Sequence, residues 1–266
     1  MPAPNEITVA QLARRVGTFD APVILDLRTD EDFHDDPRLV PGAMRCRFDR
    51  IEELAPRLQG LPTVVYCQKG RKISQGGASL LRWAGVPAEV LQGGQFAWRD
   101  ADAPMVNADA LPPPDERGRT VWVTRHRPKI DRIAVPWLIR RFVNTDAMVL
   151  FVPPADVAAV AERFAATPFD VEGAEFSHRG ENCTFDTALE TFGLRSGALD
   201  EVAKVVRAAD TNRHDLAPEA AGLLAISVGL SRMYRDDIAQ LEAGMVIYDA
   251  LYRWARDARD EGHDWP

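Results

Sequence analysis

The residues best equipped for chemistry in the first half of this chain surround Cys67, in the segment Val64-Val65-Tyr66-Cys67-Gln68-Lys69-Gly70-Arg71-Lys72. A short β-branched and aromatic run predicts a buried strand. It delivers the thiol into a polar loop holding one glycine and the cations Lys69, Arg71 and Lys72. The apolar stretch Ser79-Leu80-Leu81-Arg82-Trp83-Ala84 that follows predicts a helix. Basic side chains, loop amides and the positive end of that helix each favour thiolate over thiol, so Cys67 is expected to titrate below a free cysteine. The same amides can form a nest for a charged sulfur, phosphorus or arsenic species. The competing reading is an inert core cysteine, but such a residue has no reason to be followed by three cations.

The second half offers three polar clusters, Arg125 to Arg141, Glu175 to Asp186 and Arg207 to Asp215. His178, Glu181, Cys183, Asp210 and His214 form a pool of metal ligands. Asp210 and His214 are four residues apart and share a face if one helix runs through both, while His178 could converge from the preceding loop. His178, Asp210 and His214 are therefore the expected ligands. Imidazole plus carboxylate suits zinc, iron or manganese. The chain has no CxxC or HExxH spacing, and an ion-paired surface with ordinary polar histidines is the alternative. The basic cluster likewise has two readings. It could receive an oxyanion such as chromate or sulfate through guanidinium contacts, or pair with the excess of acids.

Several elements must position these groups. Val23-Ile24-Leu25-Asp26-Leu27-Arg28 reads as a strand ending in an acid and a base, Val40-Pro41-Gly42-Ala43 as a tight turn, and Leu91-Gln92-Gly93-Gly94-Gln95-Phe96-Ala97-Trp98 as a strand, a glycine turn and an aromatic anchor. Residues 106–119, with Pro112-Pro113-Pro114, read as a semi-rigid linker. It divides a domain at 5–105 from one at 120–266. Past the linker, Thr120 to Thr124 and Met148 to Val152 read as strands. Helices are expected over 130–143, 156–166, 185–192, 199–211, 218–233 and 236–260.

Composition narrows the function classes. The chain has 266 residues, 46% hydrophobic, enough to bury two cores. A formal net charge of −8 argues against nucleic-acid binding, which needs a basic face. No apolar run reaches the length of a membrane span, and Met1 to Glu6 lack the features of a signal peptide. The 3 cysteines, Cys46, Cys67 and Cys183, make no disulfide framework. A cytoplasmic protein is expected.

The motifs at residues 23–28, 40–43, 67–74 and 91–98, in that order, closely resemble a rhodanese domain over about residues 5–105. The resemblance implies an α/β fold, a parallel sheet with flanking helices, with Cys67 as the persulfide-forming nucleophile. Gln68, Lys69, Gly70, Arg71 and Lys72 become the substrate-binding loop, and Arg28 joins the same set. Lys72 stands where many such domains place an arginine. From 120 to 257 the polar clusters, with Ala217-Pro218-Glu219-Ala220-Ala221-Gly222 and Gly244 to Tyr252, resemble the C-terminal domain of the chromate-resistance protein family. This implies a mostly helical α/β second domain and a link to chromate or oxidative stress. The expected function is a sulfurtransferase of the thiosulfate type, taking sulfur from a thiosulfate-like donor and passing it to cyanide, glutathione or a dithiol. Sulfur transfer itself requires no cofactor. The alternative is a chromate-sensing or metal- or oxyanion-binding regulatory protein. A dehydratase, reductase or phosphatase built on the same loop is a third option.

Overall fold

The computed structural model describes residues 5–262 of the 266. Met1 to Pro4, part of the stretch expected to lack a signal peptide, and the last four residues lie outside it. Two compact units are present, one running to Leu111 together with Arg141–Thr145, the other holding Pro112–Arg140 and the chain from Asp146.

In the first unit the chain alternates β1 (Glu6–Ile7), α1 (Val9–Ala13), β2 (Val23–Asp26), α2 (Asp30–Asp35), β3 (Arg38–Leu39), β4 (Ala43–Arg45), β5 (Thr63–Tyr66), α3 (Lys72–Trp83), β6 (Ala88–Leu91), α4 (Gly94–Asp100) and β7 (Val106–Asn107). A 3-10 helix covers Phe48–Arg57. Strands β1-β6-β5-β2-β4 form one parallel sheet. Sheets covered on both faces use unbroken apolar strands rather than alternating ones, and Val64-Val65-Tyr66 on β5 is buried throughout. Leu25, Val65 and Val90 pack with Ala78 and Leu81 of α3 into one core. Because β5 is central and parallel to its neighbours, its C-terminal end opens where ligands gather in such sheets, and Cys67 is the next residue.

Two boundaries differ from the sequence reading. The expected linker does not begin at 106, because Val106 and Asn107 pair antiparallel with Leu39 and Arg38 and the Val106 side chain is buried. The division falls after Leu111 instead. The segment Arg141–Thr145 groups with the first unit, where the Phe142 ring lies so near Gly17 that an added Cβ would meet it at 2.2 Å.

The second unit contains β8 (Val121–Arg125), α5 (Asp131–Leu138), β9 (Met148–Val152), α6 (Val157–Phe164), β10 (Thr167–Pro168), α7 (Thr184–Phe192), α8 (Gly197–Asp210), α9 (Ala220–Met233) and α10 (Asp237–Asp257). Strands β10-β8-β9 are parallel. Trp122 on β8 meets Phe176 edge-on at 5.1 Å, and Trp137 lies between Phe185 and Tyr248 at 6.2 Å from each. The expected helix over 130–143 is α5 followed by a π-helical turn at Ile139–Val143. The α8 helix stops at Asp210, with Thr211 as its C-cap and Asn212 at φ 56°. Among the described residues no helix is long and apolar enough to cross a membrane.

Candidate functional site

Cys67 sits at the end of β5 with its thiol 3.2 Å from Ser74 Oγ in the first turn of α3. Burial pushes this thiol up. The Ser74 hydroxyl and the backbone amides of Ser74, Arg71 and Lys69 outweigh burial, so the thiol lies below its ordinary range. Of the expected contributors, the three cations are exposed at the rim, where water screens them, and the expected loop amides reach the sulfur. Gln68 is half-buried in the same loop. The loop is held from behind by the glycine turn. Gln95 N donates to Cys67 O and Phe96 N to Gln68 O, each at 3.0 Å. Gly70 and Gly94 both have φ 63°, and a Cβ on Gly94 would come within 2.2 Å of Cys67 O. Only glycine permits that approach.

The other cysteines provide a contrast. Cys46 is half-buried, and burial raises its thiol. Cys183 is fully buried at the start of α7, and burial together with Asp131 and Asp186 drives its thiol far up. Neither is placed for thiolate chemistry.

Arg28 does not belong to the substrate-binding set. Its side chain has no exposed surface and pairs with Asp26 at 2.6 Å. Its remaining donors reach Asp36 O at 2.7 Å and Arg38 O at 2.8 Å. It is a strut behind β2, tying the following chain to the sheet.

In the second unit His178 and Asp210 come together, and His214 does not join them. The shared helical face on which His214 depended ends with α8 at Asp210. Among the described residues its buried Nε2 has no hydrogen-bond partner. Two residues that the sequence reading missed take its place. His178 Nε2 lies 3.1 Å from Asp210 Oδ2, 3.5 Å from Asp131 Oδ2 and 3.7 Å from Asp170 Oδ1. Asp131 opens α5 and Asp170 follows β10, while His178 lies in the loop before α7. Only 1% of Asp131 is exposed. Hydrogen bonding to Asp131 raises the His178 imidazole to about 9. Burial and the neighbouring carboxylates raise Asp210 to about 7. Of the expected basic cluster, Arg125 and Arg132 pair with Asp170 at 2.9 and 3.2 Å, and Arg140 pairs with Glu242 at 2.6 Å. Sequence carried one signal for the missed acids: Asp131 is the lone acid in a basic cluster that precedes an apolar helix.

The parallel sheet, the amide-lined thiol loop and the glycine turn define a rhodanese-like domain, and residues 8–101 match the family described as rhodanese-like domain. Residues 122–255, half of the chain, match the family described as ChrB, C-terminal domain. The chain belongs to the ChrB family, with the rhodanese-like domain preceding the C-terminal domain. Protein ChrB of Cupriavidus metallidurans is 31% identical over 180 residues, which are 62% of this chain and 54% of that protein. The chain thus spans about half the length of this curated relative. Among solved structures, a rhodanese-like domain protein of Staphylococcus aureus is 26% identical, covering 35% of this chain and 90% of its own at TM-score 0.31. A rhodanese-related protein of Thermoplasma volcanium is 19% identical, covering 38% and 97% at TM-score 0.34.

Proposed function

We propose that this protein is a cytoplasmic sulfurtransferase that works through a Cys67 persulfide in chromate or oxyanion stress. The observation that carries this reading is the Cys67 thiol within reach of the Ser74 hydroxyl and three loop amides, lowered despite its burial. The thiolate attacks the outer sulfur of thiosulfate and forms the Cys67 S–S bond. The sulfur–sulfur bond of thiosulfate breaks, and sulfite leaves with the bonding pair. The persulfide anion then sits where the thiolate sat, within reach of the same donors. Cyanide or a thiol next attacks the outer sulfur and returns Cys67 as thiolate. Lys69, Arg71 and Lys72 at the rim favour arrival of an anionic donor on a chain that is otherwise acidic. Free Cys46, Cys67 and Cys183 suit a reducing compartment. The link to chromate rests on the family of the second unit.

The test is thiocyanate formation from thiosulfate and cyanide by the full chain, beside Cys67→Ser. Turnover lost in the variant supports the reading. Absence of turnover in wild type, with no persulfide trapped on Cys67 after thiosulfate treatment, refutes it and favours the alternative of an oxyanion-binding or chromate-sensing protein.

A further inference from the structure

We infer that the second unit holds a divalent transition-metal ion between His178 Nε2 and the carboxylates of Asp131, Asp170 and Asp210. The inference is independent of the sulfur chemistry proposed for the first unit.

One donor atom each from Asp131, Asp170 and His178 lies within 4.8 Å of the others, and Asp210 Oδ2 adds a fourth at 3.1 Å from the imidazole. The separations of 3.5 and 3.7 Å to Asp131 and Asp170 stand at and beyond the outer limit of a hydrogen bond. They are close to the edges of a coordination shell, since ligands bound at about 2.1 Å stand roughly 3.0–3.4 Å apart. The donors come from four separate parts of the chain, so local sequence does not force their convergence.

Burial supplies an independent reason. Asp131 is 1% exposed, and among the described residues its one ion-pair partner is His178, at 3.5 Å. A buried carboxylate facing two more carboxylates is stabilised by positive charge placed beside it, which a divalent ion would add. The guanidinium groups of Arg125 and Arg132 reach Oδ2 of Asp170, leaving its Oδ1 turned toward the imidazole.

The carboxylates are also held in place as metal ligands usually are. Asp131 Oδ2 accepts from Thr184 N at 2.6 Å and Oδ1 from Phe185 N at 3.3 Å. Asp170 Oδ1 accepts from Thr184 Oγ1 at 3.0 Å. Three carboxylates and one imidazole favour manganese, ferrous iron or zinc over the softer ions that thiolates select. His178 is 42% exposed on its side chain, so the site is open to solvent on the imidazole side.

The experiment strips the full chain with EDTA, desalts it, and titrates it with zinc chloride, manganese chloride and, without oxygen, ferrous sulfate. Calorimetry and thermal melting provide the readouts. One of these ions should bind one to one and raise the melting temperature. His178→Ala and Asp210→Asn should each weaken binding by roughly tenfold or more, with folding checked by circular dichroism. His214→Ala should bind as wild type does. Cobalt in the same site should show ligand-field bands with no thiolate charge-transfer band, because Cys183 is not a ligand. The proposal is overturned if none of the three ions binds, if both ligand variants bind as tightly as wild type, or if His214→Ala abolishes binding. A thiolate charge-transfer band would overturn it as well.

Discussion

Replacing Ser74 with alanine removes a hydroxyl 3.2 Å from the Cys67 sulfur and leaves the loop amides in place. That hydroxyl has one proton and two acceptors, since it also lies 3.1 Å from Arg71 O. Beside a neutral thiol it can donate to the carbonyl, and beside a thiolate it turns to the sulfur. A hydrogen bond to a charged group is worth about 1.5–3 kcal/mol, and the lower figure applies because three amides remain. About 1.4 kcal/mol is tenfold in an equilibrium, so below its titration Cys67 in the variant should carry about a tenth of the thiolate. A more basic thiolate is also a better nucleophile, by roughly threefold for that change in acidity. Iodoacetamide alkylation followed against pH should therefore give curves that cross. The variant should react about threefold more slowly in the acid limb and about threefold faster on the alkaline plateau. Cys46 and Cys183 act as internal references, because burial raises both. A variant curve that keeps the wild-type midpoint would show that Ser74 does not stabilise the anion. Slowing by one factor at every pH would show that access to the sulfur had changed instead.

Gly94→Ala should lower stability by about 1–3 kcal/mol and reduce thiocyanate formation, because its Cβ would lie 2.2 Å from Cys67 O at φ 63°. Gly76→Ala on α3, where a Cβ meets nothing within 4 Å, should be neutral or stabilising by about 0.5–1 kcal/mol; equal urea midpoints for the two variants would contradict the cradle. Arg28→Lys keeps a charge for Asp26 but cannot reach both carbonyls of Asp36 and Arg38. It should lower stability by about 2 kcal/mol with the KM for thiosulfate unchanged, and the opposite pattern would return Arg28 to the substrate site.

The Cys67 loop was legible in the chain because its parts are contiguous. Val64 to Tyr66 make a central buried strand, the loop follows at once, and α3 begins at Lys72, so local propensity alone sets strand, turn and helix in order. Even there the chain named cations, loop amides and helix end together, and only the structure ranks them. Lys69, Arg71 and Lys72 are conspicuous as letters, yet their charges end in water, whereas the amides that reach the sulfur belong to every residue alike. Arg28 was misplaced for a related reason. Two residues beyond Asp26, it reads as a free base at a strand end, and only the returning chain at Asp36 and Arg38 shows that its donors are taken up inside the unit. The second unit separates the two kinds of knowledge most sharply. Residue types alone marked His178 and Asp210 as candidate ligands, and spacing proposed His214 on the premise of a continuing helix. The helix ends at Asp210, which removes His214, while packing brings Asp131 and Asp170 to the imidazole. Propensity and periodicity act over a turn or a strand and so can be read along the chain. The meeting of residues 131, 170, 178 and 210 depends on how α5, β10 and α8 pack, and only the three-dimensional fold decides it.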